Sequence, residues 1–387
     1  MPHGHAEART RGGHSERAVR VLIVGPYAPD GQVSIPAFVS TLMAGLAPLG
    51  HDVSSCSPNP TRFGKALKPM LGRRALFIDK FVLFPRALKR LASQYDLIHI
   101  AEHGYASYGR VVRDRPHVIT CHDLIVAKAA LGLIPNWPLS YPAKRYQHSI
   151  LNNLRGSRHV VAVSGATRRD VIDLAGVPES RCSLVLNGFY RPSQRVSTGV
   201  EAELRNFGIP VGAPWFLHVG GNQENKNRKG LVEIFGALKK REQTKDHHLV
   251  MAGAQPGDPV LQAIRALDAP GDVHLVVRPT DRQIMMLYSS ATALLYPSLY
   301  EGFGLPIIEA QACGCPVITT RGEPMMEVAG EAAIFIDPGD IEGSANDIAK
   351  SVETLGSLVS RGYVNATRFS AENMCQGYSE VYARVAS

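Results

Sequence analysis

The run Pro297-Ser298-Leu299-Tyr300-Glu301-Gly302-Phe303-Gly304-Leu305-Pro306-Ile307-Ile308-Glu309-Ala310 sets two carboxylates around a glycine-containing loop. Carboxylates accept hydrogen bonds from sugar and ribose hydroxyls, and backbone N–H groups at a helix start take phosphate oxygens. Gly302 and Gly304 let the main chain approach a ligand with no Cβ in the way. Pro306 suits the first helical turn, where its missing N–H would have had no partner. The amides around Gly304 and Leu305 are then free to hold an anion. Glu301, before the helix, and Glu309, a turn into it, can face one pocket. A phosphorylated, hydroxyl-rich ligand fits this set; two surface glutamates on an ordinary strand–loop–helix are the alternative.

Cations for such a ligand stand in a second run, His218-Val219-Gly220-Gly221-Asn222-Gln223-Glu224-Asn225-Lys226-Asn227-Arg228-Lys229-Gly230. A phosphate that leaves in a reaction gathers negative charge, and losing one preplaced donor to it typically costs about 2.7–4 kcal/mol. Lys226 and Arg228 are the candidates, with Gly221 and Asn222 in the turn ahead of them; a solvated basic face is the alternative. His122, in Thr120-Cys121-His122-Asp123, ends an apolar run, where it is either a site residue or a satisfied structural histidine. Asp123 reads as capping the next turn or orienting that imidazole. The loop Gly25-Pro26-Tyr27-Ala28-Pro29-Asp30-Gly31-Gln32 is no GxGxxG turn, although Gly31 still allows a diphosphate or acceptor to come close. Ser164 and Thr167 lack a GxSxG elbow and read as helix caps. No Asp-x-Asp and no His/Cys cluster of metal spacing occurs, so neither a metal nor another cofactor is expected.

Strand ends must hold these residues. Positions 19–24 form a short β-branched apolar run, as expected of a parallel strand buried on both faces. A helical pattern follows over about 35–49, with Phe38, Leu42, Leu46 and Leu49 on one face and Gly50 as its C-cap. Further strands are read at 96–101, 118–121, 160–163 and 184–186. In the second half they fall at 215–219, 249–252, 273–277, 293–296, 316–319 and 333–336. Strands alternating with helices build parallel sheets, whose ligands lie beyond the strands' carboxyl ends. The polar stretch 191–199 reads as a linker. The expected fold is α/β: a disordered tail over 1–18, doubly wound Rossmann-like domains over 19–190 and 200–370, and a last helix over 371–387.

The first run resembles the E-x7-E signature of the large family of retaining nucleotide-sugar glycosyltransferases with the GT-B fold (family 4, group 1). The family's usual form is close to P-S-x-x-E-G-F-G-L-P-x-x-E-A-x-A-x-G-x-P-V, and the match continues through Ala312, Gly314, Pro316 and Val317. The segments 46–53 (LAPLGHDV) and 161–170 (VAVSGATRRD), Leu186-Asn187-Gly188 and Asp337-Pro338 resemble it too, so the likeness covers nearly all the chain after the tail. It implies two domains facing across a cleft, the N-terminal one for the acceptor and the C-terminal one for the donor. The last helix would return to the N-terminal domain. Glu301 would hold donor-sugar hydroxyls and Glu309 the ribose, with Gly302, Phe303, Gly304 and Leu305 contacting sugar and diphosphate through the backbone. Lys226 matches the family's lysine. Gly221 stands where an arginine is common, and Arg228 would supply that charge, as in members with a G-G-N…K-N-R pattern. The family often sets a histidine at His122, against the donor sugar, and Arg278, before Pro279, falls in its base-contacting loop. The implied reaction is a front-face displacement in which the departing phosphate helps deprotonate the acceptor.

At 387 residues the chain exceeds one ordinary core, and 45% hydrophobic with 20% charged residues is usual for a soluble protein. No run of about 18 apolar residues is present. Six cysteines without a CxxC pair point to reduced thiols in a cytoplasmic protein. The net charge of +8 divides into +12 over residues 1–185 and −4 over the rest. A pI of about 9.2 invites a nucleic-acid-binding reading, but no recognised module or aromatic platform supports nucleic acid as a partner. From Arg62 to Arg90, nine Lys and Arg mix with apolar residues against the one acid Asp79. Such a stretch can lie peripherally at the inner face of an anionic membrane, or form solvated helices over the N-terminal sheet. The expected activity is transfer of a sugar, with retention, from a nucleoside-diphosphate sugar to a glycan or lipid-linked acceptor. A sugar-nucleotide epimerase or a phosphorylase of the same fold is the alternative, against which the E-x7-E loop argues. Glu301 and Lys226, on loops facing solvent or ligand, are expected to be replaceable by alanine without loss of the fold.

Overall fold

The computed structural model describes residues 19–32, 34–60 and 77–387. The N-terminal tail and the basic positions from Arg62 to Arg74 lie outside the described residues. The first sheet comprises β1 Arg20–Val24, β2 Asp52–Cys56, β3 Leu97–Ile100, β4 His117–Cys121, β5 His159–Ala162 and β6 Cys182–Leu184, in the order β2-β1-β3-β4-β5-β6. The second comprises β7 Trp215–Gly220, β8 His248–Gly253, β9 Val273–Val277, β10 Ala293–Tyr296, β11 Val317–Thr320 and β12 Ala333–Ile336, in the order β12-β11-β10-β7-β8-β9. Every pairing is parallel. Two apolar clusters pack on each sheet, one per face, so β3, β4, β5, β10 and β11 are buried along their whole length. That is why these strands read as unbroken apolar runs.

The outer strands differ. β2, sequence DVSSC, lies at an edge and stays half exposed, so periodicity alone does not reveal it. β6 begins at Cys182, where its pairing with Val160 starts, two residues before the expected 184–186. The first helix, Ser34–Leu46, ends three residues short of expectation; Leu49 and Gly50 close a turn behind it, with Gly50 at φ 87°.

Each sheet has one switch point, where successive strands are added on opposite sides: between β1 and β3 in the first, and between β7 and β10 in the second. Open α/β sheets hold ligands in the crevice beyond such points. The last helix, Ala371–Ala386, leaves the second domain and packs on the first. Met374, Cys375, Tyr378, Val381, Tyr382 and Val385 share a core with Val21, Phe38 and Leu42. Gly45 makes this approach possible, since a Cβ there would lie 2.4 Å from Cys375 Sγ. A buried polar chain pins the helix: Tyr382 Oη meets His99 Nδ1 at 2.7 Å, His99 Nε2 meets Thr120 Oγ1 at 2.7 Å, and Thr120 meets Tyr378 Oη at 2.9 Å. Burial lowers the His99 pKa to about 3, so the neutral ring donates through one nitrogen and accepts through the other. All six cysteines are free thiols, and no helix among the described residues is long and apolar enough to cross a membrane.

Candidate active site

The second switch point holds the lysine and the first glutamate together. Tyr296 ends β10, and its hydroxyl donates to Glu301 Oε1 at 2.6 Å. Lys226 Nζ donates to both Glu301 oxygens at 2.8 and 2.9 Å and to the Tyr296 hydroxyl at 2.9 Å. Lys226 closes the short turn Glu224–Lys226, and Asn227, at φ 51°, turns the chain into the helix Arg228–Leu238. Asparagine tolerates that left-handed conformation better than most residues. Asn225 Nδ2 donates to the Tyr300 carbonyl at 2.8 Å and Asn227 Nδ2 to the Pro297 carbonyl at 3.1 Å. The loops after β7 and β10 are thereby stitched into one piece. The Lys226 and Glu301 side chains are only 19% and 7% exposed; both stand on loops, but as a buried pair that does not face open solvent, so alanine at either would leave a buried charge without its counter-charge. Burial alone would lower the Lys226 pKa, but Tyr296 and Glu301 outweigh it and hold the ammonium charged. His218 stacks on Tyr296 with ring centroids 6.1 Å apart, and burial keeps it neutral, with its pKa down to about 3.

The glycine loop touches the N-terminal domain. A Cβ at Gly302 would lie 1.9 Å from the His122 carbonyl oxygen. Glycine is therefore required by the opposite domain. The Gly302 carbonyl accepts from Ser164 Oγ at 2.7 Å and from Thr167 Oγ1 at 3.1 Å. Ser164 also caps the helix Gly165–Ala175 through the Thr167 N–H, so capping and domain contact coexist. Gly165 N–H adds a bond to Glu327 Oε2 at 2.8 Å. Gly304, at φ 108°, starts the helix Leu305–Ala312. The Phe303 ring is buried edge-on against Phe369.

Glu309 is buried, accepting from Arg191 Nε at 3.0 Å and from the Tyr288 hydroxyl at 3.2 Å. Burial pushes its pKa up against the pull of Arg191. Arg191 also pairs with Asp281 at 2.5 Å. What reads in sequence as the first residue of a linker thus folds inward onto Glu309. Arg228 is buried as well: Nη1 donates to Asn222 Oδ1 at 2.5 Å and to the Ala254 carbonyl at 2.9 Å. Its Nε and Nη2 are buried with no hydrogen-bond partner among the described residues. Gly221 contributes no side chain, and an added Cβ would strike Gln223 Oε1.

On the opposite face, His122 Nε2–H donates to the Ala101 carbonyl at 2.9 Å, and the ring stands edge-on to Phe38 at 5.0 Å. Burial lowers its pKa, so the ring is neutral and Nδ1 carries the lone pair. Asp123 Oδ1 accepts the Ile125 N–H at 3.0 Å, which is the capping role. Gly31, at φ 70°, ends the turn Ala28–Asp30 after β1. Arg278 is exposed at the end of β9 with φ 51°, a strained conformation for a residue before proline. The structure therefore brings Glu301, Lys226, Gly302 and His122 to one place, with Glu309 and Arg228 each held by separate partners. Tyr288 and Arg191 escape a reading of the sequence because Glu309 is brought near them only by folding, and Tyr296 because it reads as one more apolar residue of β10.

Two doubly wound sheets, joined by a loop of the second that closes on the strand ends of the first, make the GT-B fold. The description "Glycosyl transferases group 1" matches residues 200–356 and "Glycosyltransferase Family 4" matches residues 36–190; the chain belongs to the group 1 glycosyltransferases. O-antigen chain mannosyltransferase B of Escherichia coli is 26% identical, over 79% of this chain and 80% of its own. D-inositol 3-phosphate glycosyltransferase of Corynebacterium efficiens is 27% identical, over 76% of this chain and 70% of its own. Among solved structures, Anabaena HepE in complex with UDP-glucose superposes with a TM-score of 0.73 at 16% identity, covering 95% of this chain and 100% of that one.

Proposed function

We propose that this enzyme moves a sugar from a nucleoside-diphosphate sugar to a hydroxyl of a glycan or lipid-linked acceptor, retaining anomeric configuration and using no metal. The observation that carries this reading is the Lys226–Glu301–Tyr296 cluster at the β7/β10 switch point, beside a glycine loop packed on His122. Lys226 faces the charge that develops on the departing diphosphate, and Glu301 takes donor-sugar hydroxyls. The amides from Phe303 to Leu305 take phosphate oxygens, and the two unpartnered donors of Arg228 suit the same anion. Glu309, with Arg191, takes the ribose, and Arg278 the base. Among the described residues no carboxylate other than Glu301 joins this cluster, and Glu301 is engaged by Lys226, which favours front-face displacement over a covalent intermediate.

Support comes from the fold neighbour described in complex with UDP-glucose and from the relative named an O-antigen chain mannosyltransferase. Peripheral contact with an anionic membrane remains part of the proposal on narrower ground. Lys80 is engaged by Asp30, whereas Lys89 and Arg90 are exposed near the end of the helix Phe84–Ala92. The test is a thermal-shift screen of UDP, GDP, ADP and their sugars, where ligand at 100 times Kd adds about 2.7 kcal/mol. Transfer is then followed by mass spectrometry in EDTA, with the anomeric configuration read by NMR. The reading fails if no nucleoside diphosphate stabilises the chain, and its metal-free part fails if EDTA abolishes transfer and Mn²⁺ restores it.

A further inference from the structure

The first sheet has a crevice of its own, and its chemistry differs from that of the second. A cavity of about 180 Å³ opens beyond β1 and β3, lined by Asp30, Gln32, Glu102, His103, Tyr146 and Gln147 among others. It adjoins the reaction centre: Glu102 follows Ala101, whose carbonyl holds His122, and the His122 carbonyl is the atom against which Gly302 packs. The charges around it are already matched. His103 Nδ1 lies 2.7 Å from Glu102 Oε1, an ion pair rather than an aligned hydrogen bond. Glu102 also accepts the Gly104 N–H at 3.0 Å. Lys80 Nζ lies 2.9 and 3.0 Å from the Asp30 oxygens, and the Tyr105 hydroxyl donates to the same carboxylate. No lysine or arginine lines the cavity among the described residues.

An anion entering this space would meet two carboxylates and no cation free of one. A neutral polyol would meet spare carboxylate lone pairs, two amides that both donate and accept, and an aromatic rim at Tyr146. We propose that this cavity selects the acceptor by charge: it takes the terminal ring of a neutral, hydroxyl-rich acceptor and rejects a phosphorylated one. The proposal rests on the transferase reading above, and adds the class of acceptor and the residues that choose it. Gln147 and Tyr146, on the helix Tyr141–Arg155, are specificity residues at the rim. Glu102 is the central hydroxyl acceptor.

Saturation-transfer NMR on the full chain, with saturating nucleoside diphosphate present to fill the proposed diphosphate site, tests this with methyl α-mannoside and methyl β-glucoside as neutral probes, and mannose 6-phosphate and inositol 1-phosphate as charged ones. The neutral glycosides are expected to bind and the phosphates not. Gln147→Ala should weaken the neutral probes about tenfold, the loss of roughly one good hydrogen bond. Gln147→Arg should admit the phosphates. Glu102 is buried, so Glu102→Gln is read only after its fold is checked, and the Gln147 variants carry the test alone if it is not. Phosphates binding as well as the neutral probes, or neutral binding unchanged in Gln147→Ala, would overturn the proposal. A parallel thermal shift with nucleoside diphosphates separates the two levels. Donor binding without neutral-glycoside binding sinks only the cavity's role, whereas absence of donor binding sinks the transferase reading and the acceptor assignment with it.

Discussion

Methionine at Lys226 would leave Glu301 buried beside Tyr296 with no cation. Breaking a buried pair this way costs up to about 3–5 kcal/mol, less here because Lys226 keeps some solvent contact. We therefore expect Lys226→Met to lose both stability and about 10²–10³ in kcat. The double change Lys226→Met with Glu301→Gln should recover most of the stability and none of the activity. Urea denaturation beside kcat separates the two effects; single variants as stable as the parent would contradict the buried-pair account. The Glu102–His103 pair makes a second prediction at this scale. Burial opposes both charges, yet each outweighs burial for the other: His103 rises from 6.5 to about 9 and Glu102 falls from 4.5 to about 2. The His103 contribution is whole below pH 6.5 and lost as pH rises through 9. That of Glu102 is whole above 4.5 and lost as pH falls through 2. The stability gap between the parent and His103→Asn should thus be widest at pH 4.5–6.5 and narrow towards pH 9. A gap independent of pH would refute the pairing. Among single residues, Glu301, Lys226 and His122 were legible because motif and strand end coincide. Tyr296, by contrast, reads as one more apolar β10 residue until its hydroxyl is placed.

Elements were legible to the degree that burial shaped them. The central strands are apolar because both faces are covered, so β10 was read to the residue, while the edge strand β2, with its serines, carries no such pattern. The polar stretch after position 190 has the composition of a linker, yet Arg191 reaches Glu309 and Asp281. Composition reports exposure on average and says nothing of a single side chain that folds inward. Arg191→Ala leaves Glu309 buried with Tyr288 as its remaining hydrogen-bond partner, which should misplace the carboxylate. We expect the donor KM to rise about tenfold, roughly the 1.4 kcal/mol of one charge-assisted bond, with the acceptor KM unchanged. Initial-rate kinetics in both substrates decide it, and an equal rise in both constants would point to general unfolding instead.

For the molecule as a whole, the two switch points differ in chemistry: beside the Lys226–Glu301 pair the second holds an arginine with two unpartnered donors, whereas the charges at the first are matched in ion pairs. The overall imbalance of +12 against −4 in sequence therefore does not describe the crevices, because surface charges dominate such sums. The Gly302 carbonyl has a consequence for timing. The strand–helix loop assigned to the donor is tied by Ser164 and Thr167 to the neighbouring domain, so the halves cannot swing apart without breaking two hydrogen bonds to the loop assigned to the nucleotide. On the proposed reading, the Ser164 and Thr167 hydroxyls would thereby slow the departure of the nucleoside diphosphate. Ser164→Ala with Thr167→Val should quicken nucleoside-diphosphate dissociation about thirtyfold in stopped-flow displacement, since two bonds of roughly 1 kcal/mol each are released. If the off-rate stays put while scattering shows the domains opening freely, nucleotide residence is governed by the second domain alone.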